Sequence, residues 1–192
     1  MSQVASADEI SALEDQILAD AQRLAEMQRS LPPVEVRDYE LKRVSGGVRL
    51  SELFAGKRDL IVIHNMGASC VYCTMWADGI NGVWEHLADR AGIVLISPDP
   101  PEVLEEFAAG RAWAFPIASV DGTTFNADLN MENENDGGPK PGVSTFRRRD
   151  DGTIEKVASE GFGPFDLFCS TWHFMARLKE GVGDWEPKYS YD

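Results

Sequence analysis

Apolar residues recur at three- and four-residue steps near the start of the chain: Ile10, Leu13, Ile17, Ala21, Leu24, Met27 and Leu31. That spacing lines them along one face of a helix of about six turns. Ser6-Ala-Asp-Glu9 has the form of a capping box, and Pro32-Pro33 ends the helix. Val34 to Val44 reads as a strand, and Ser45-Gly46-Gly47 turns it back into Val48-Arg-Leu50 as a hairpin. Ser51 to Phe54 suits a short helical turn. Leu60 to His64 and Ile93 to Ser97 are apolar at consecutive positions, the mark of strands covered on both faces.

Between those strands, Val71 to about Arg90 predicts a helix weakened at Gly79 and Gly82. Pro101 to Gly110 predicts an amphipathic one opened by proline. Phe115 to Val120 is extended, and Met131 to Gly142 is a polar, flexible insertion. Val143 to Arg148 and Ile154 to Ser159 make a second hairpin, and Phe165 to Lys179 closes the chain as a helix stopped by Gly181. Strand–helix–strand order with short connections specifies an α/β sandwich of three layers. Residues 1–33 form an amphipathic helix packed on the domain or on a partner subunit, and residues 34–192 form one domain.

Composition narrows the function classes. Eighteen Lys and Arg against 32 Asp and Glu give a net charge of −14 over 192 residues, which excludes a nucleic-acid binder. No apolar run approaches the ~20 residues of a membrane span, and the N-terminus lacks a signal-peptide pattern. Three cysteines do not make a fully paired disulfide framework. A cytoplasmic protein is expected.

Cys70-Val-Tyr-Cys73 carries the candidate chemistry. It follows a buried strand and opens a helix, where unpaired amides and the helix dipole favour a thiolate. Cys73 lies one turn on, within reach of a disulfide. The pair reads as a redox dithiol in which Cys70 attacks and Cys73 resolves. Two other readings stay open: half of a metal site completed by Cys169 and His173, or inert thiols.

Leu60 to Met66, the cysteine pair, Trp76-Ala-Asp-Gly-Ile-Asn-Gly82, Trp113-Ala-Phe-Pro116 and Gly142-Val-Ser-Thr-Phe146 together resemble a bacterial family of unknown function. Its members are held to be dithiol–disulfide oxidoreductases of thioredoxin-like fold. The resemblance covers nearly the whole chain and implies a central mixed sheet with helices on both faces and an added N-terminal helix. In thioredoxins a buried aspartate stands six residues before the first cysteine, and that position is His64, a candidate general base towards Cys73. Where thioredoxins place a cis-proline facing the dithiol, this chain has Ser144, expected to be trans and to face an incoming substrate. Tyr72 sets a ring beside the sulfurs, as substrate contact or as packing.

The peroxiredoxin pattern Pro-x-x-x-Thr-x-x-Cys does not fit. Its proline and threonine positions hold Ile63 and Gly67 when counted to Cys70, and Met66 and Cys70 when counted to Cys73. Rapid peroxide reduction is therefore disfavoured. The expected partners are a protein or small-molecule disulfide and an external thiol reductant, with a homodimer as the expected assembly. No cofactor and no resident metal are called for. The alternative is a non-catalytic thioredoxin-fold binding protein, holding a metal through its cysteines.

Overall fold

The computed structural model describes residues 5–191. The chain runs α1 (Ala7–Ser30), β1 (Val34–Val36), β2 (Glu40–Arg43), β3 (Gly46–Arg49), α2 (Leu50–Leu53), β4 (Asp59–His64), α3 (Val71–Asn81) and α4 (Trp84–Arg90). It continues with β5 (Gly92–Ser97), α5 (Pro101–Gly110), β6 (Ile117–Ser119), α6 (Phe125–Asp128), β7 (Gly142–Arg148), β8 (Ile154–Gly161) and α7 (Ser170–Met175). The eight strands form one sheet in the order β1-β8-β7-β4-β5-β6-β2-β3. β4, β5 and β6 are parallel, and β7 joins β4 antiparallel. The result is the thioredoxin-like α/β arrangement.

Val34 to Val44 is not one strand. It divides into β1 and β2 at opposite sides of the sheet, joined by Arg37–Tyr39 alone. That link spans at most about 14 Å, while the six strand spacings between β1 and β2 would cover about 29 Å in a flat sheet. The sheet must therefore curl. Its concave side holds the main core, in which Leu60 and Val62 of β4 meet Val94, Ile96, Phe125 and Phe146. The alternate residues Ile61 and Ile63 face the other side, against Ala77 of α3 and Leu104 of α5.

Two further elements differ from expectation. The helix after the cysteines is broken at Gly82–Val83 into α3 and α4, the weak point its glycines suggested. The closing helix shrinks to α7. Asp166 accepts from the backbone N–H groups of Gly163, Phe168 and Cys169 (2.9, 2.7 and 3.0 Å), and Phe165 adopts φ +69°, so helix cannot begin before Ser170. The segment from Met131 to Gly142 is closed by a bridge between Glu132 and Pro139.

The capping box of α1 is present in full. Yet α1 buries none of its residues, and only its C-terminal end is tied to β8, where Gln28 Nε2 donates to Glu160 (3.1 Å). Among the described residues no helix is long and apolar enough to cross a membrane.

Candidate active site

The turn between β4 and α3 is built to present Cys70. Asn65 N–H continues the parallel pairing by donating to the Ile96 carbonyl (3.0 Å), and its side-chain oxygen accepts from Gly67 N–H (2.7 Å). Asp99 accepts from Ala68 N–H (2.7 Å) and from the Ser97 hydroxyl (2.8 Å). Gly67 has φ +112°, and a Cβ there would stand 3.1 Å from the Asp99 carboxylate. Only glycine fits that corner.

Cys70 is the N-cap residue of α3, and its Sγ accepts from the Cys73 N–H at 3.1 Å. The sulfur thus does the work an N-cap oxygen usually does. Hydrogen bonds from the Cys73 thiol and from the N–H groups of Cys73 and Tyr72 outweigh the cost of partial burial and lower the Cys70 pKa to about 6. Cys73 moves the other way: donating its proton to Cys70, and burial to 4 % exposure, push its pKa far up. At neutral pH the arrangement is a half-buried thiolate hydrogen-bonded by a buried thiol.

Tyr72 lies beside this pair, partly buried, with its ring stacked on Trp172 (centroids 6.2 Å apart) and tilted against Trp76 (6.5 Å). Cys169 belongs to the same aromatic cluster and is buried. His173 Nε2 is held by the Asp166 carbonyl at 2.7 Å. Among the described residues no three His, Cys, Asp or Glu side chains come together to hold a metal ion. Cys169 and His173 therefore do not complete a site around Cys70 and Cys73.

His64 and Ser144 sit elsewhere than expected. His64 is 2 % exposed on the concave side, with Nε2 2.8 Å from the Ser144 hydroxyl and Nδ1 3.3 Å from the Asn126 side-chain oxygen. Burial lowers its pKa to about 4, so the ring is neutral. Both nitrogens are occupied, leaving no direct hydrogen bond from this ring to Cys73. Ser144 is fully buried, its hydroxyl shared between His64 and Ser159 (2.9 Å). Its side chain faces the core rather than a substrate, because it alternates with Val143 on β7, and Val143 packs on the helix-bearing side. Among the described residues no peptide bond is cis.

The Trp76-to-Gly82 motif now has a structural account. Trp76 Nε1 donates to Asp166 (2.8 Å), Asp78 accepts from Arg111 and from Trp113 Nε1 (2.8 Å), and Asn81 is tied to Ala112 and Ala114. These bonds fasten α3 to the segment after α5 and to the turn before α7. Tyr189 is the residue that sequence reasoning missed. Its hydroxyl donates to the Ala68 carbonyl (3.1 Å), and its ring meets Phe107 edge-on. Desolvation and the nearby Cys70 thiolate raise its pKa. A tyrosine near the chain end carries no periodicity or spacing that ties it to a motif 119 positions earlier.

A thioredoxin-like fold with two free cysteines at the start of the helix after its first parallel strand defines the class of this molecule. The chain belongs to the family described as bacterial protein of unknown function (DUF899), whose model matches residues 4–189. No curated protein matches it. Among solved structures it is similar to peroxidoxin BcpB from Mycobacterium tuberculosis, with 25% identity and a TM-score of 0.55 over 67% of this chain and 84% of that one. It is also similar to reduced Prx3 from Vibrio vulnificus, with 16% identity and a TM-score of 0.57 over 72% and 92% of the two chains. A mutant of peroxiredoxin Q from Xanthomonas campestris matches with 18% identity and a TM-score of 0.53 over 64% and 80%. The likeness confirms the fold.

Proposed function

We propose that this chain is a thiol–disulfide oxidoreductase whose cycle closes as a Cys70–Cys73 disulfide. One observation carries the reading: the outer sulfur caps α3 and accepts a hydrogen bond from the Cys73 N–H, with the Cys73 thiol one turn behind it. The Cys70 thiolate attacks a substrate disulfide, forming a mixed disulfide and expelling one substrate thiolate. Cys73 then attacks Cys70 sulfur, its proton passing to the second departing thiolate, and two electrons have moved to the substrate. An external dithiol returns them. Tyr72 supplies the ring against which the substrate rests. His64 is a neutral hydrogen-bond hub beneath the turn, orienting Ser144 and Asn126. A reduced thiol pool, as in cytoplasm, suits this cycle.

The similarity to a peroxidoxin at 25% identity favours a second reading at the same sulfur. Here Cys70 takes the terminal oxygen of a peroxide to become a sulfenic acid, the alcohol or water leaves, and Cys73 condenses with it, releasing water. Gly67 stands where the peroxiredoxin pattern has threonine, so this oxidation proceeds slowly beside disulfide exchange. The test is the rate of Cys70 alkylation against pH in a Cys169→Ser background. A midpoint near 6 is expected; a midpoint near the ordinary thiol value of about 8.5 sinks both readings. Single-turnover rates with a disulfide and with hydrogen peroxide then rank the two.

A further inference from the structure

Among the described residues, two apolar surfaces lack a partner, a helix face and a groove. The first is α1, in which Ile10, Leu13, Ile17, Leu24 and Met27 line one face and are each at least 41 % exposed. A helix in water draws most of its stability from packing such a face, and one left bare is marginal. The second is a groove of about 390 Å³ on the outer side of β4, β7 and β8. Ile61, Ile63 and Val143 form its floor, and Val83, Leu167 and Phe168 its walls. A three-layer sandwich needs a helix on this part of the sheet. The segment from Phe165 to Lys179 does not provide one, because Asp166 holds its first part in a turn and α7 packs on Trp76 instead.

The chain's own α1 does not fill the groove. Gln28 reaches its rim, but none of the five face residues lines it. We infer that the groove receives α1 of a second copy of this chain, reciprocally, giving a two-fold dimer. The five face residues, Leu31 and the three walls are all partly exposed. At on the order of 100 Å² per large apolar side chain, each copy offers about 900 Å². A reciprocal pair then buries about 1,800 Å², within the range of stable interfaces. The contact is isologous, so it closes at two copies.

The test is sedimentation of the reduced full chain through the micromolar range, beside Ile17→Glu and Val83→Glu. Both positions are exposed in the single copy, so circular dichroism and the Cys70 alkylation rate are expected to be unchanged. Wild type is expected to be a dimer, and each variant to weaken it by at least about 100-fold, since each buries an unpaired carboxylate. A monomeric wild type overturns the inference. So does a dimer lost in Ile17→Glu but kept in Val83→Glu, which would mean that the helices pair with each other. Loss in Val83→Glu alone would show that α1 is not the occupant.

Discussion

His64 shows how one side chain's burial becomes a property of the whole fold. Its ring stays neutral in the folded state until about pH 4, whereas an unfolded histidine takes up a proton near 6.5. Between those values the unfolded chain binds the extra proton, so stability rises with pH and is lost as pH falls from 6.5 towards 4. The size of this contribution is about 3 kcal/mol, from the width of the window. His64→Gln keeps a hydrogen-bonding side chain but removes the titration. Urea unfolding at pH 7 and pH 4 is expected to show a loss smaller by about 3 kcal/mol in the variant than in the parent. Equal losses would mean that the ring is already charged in the native state. The cysteine pair was legible because its context, strand then helix start, is local; the true partners of His64, Asn126 and Ser144, lie 62 and 80 positions away.

At the scale of elements, apolar patterning reported faithfully wherever an element's surroundings match its own period. β4 and β5 were plain because both faces are covered, and α5 because one stripe is. Val34 to Val44 misled because Val34, Val36, Leu41 and Val44 keep an apolar rhythm across Arg37–Tyr39, where the chain leaves one side of the sheet for the other. The curl that permits this crossing belongs to the assembled sheet. Close approach is equally hidden, and Gly142 makes it testable. It pairs with His64 on one side and Gly161 on the other, and a Cβ there would stand 2.3 Å from the Glu160 carbonyl and 3.2 Å from Gly161 Cα. The β8 backbone cannot yield as a side chain would. Gly142→Ala is expected to destabilise by about 1–3 kcal/mol in denaturant unfolding, with the slope of the transition unchanged. A neutral result would show that β8 moves aside freely.

Across the whole molecule, charge decides which substrates reach the dithiol fastest. The chain carries −14, and Arg111, whose guanidinium reaches the Tyr189 carbonyl, is already paired with Asp78. An anionic disulfide is therefore repelled at low ionic strength and a cationic one drawn in. Raising ionic strength from about 0.01 to 0.15 M shortens the screening length from about 30 to 8 Å. The second-order rate of Cys70 with a dianionic aromatic disulfide is expected to rise several-fold over that range, and the rate with cystamine to fall. Because the thiolate's own pKa responds to salt in the same way for both reagents, opposite slopes isolate the long-range field. Parallel slopes would place the governing charges within the turn around Asp99 and Cys70, and the acidity of the remaining surface would then serve solubility alone.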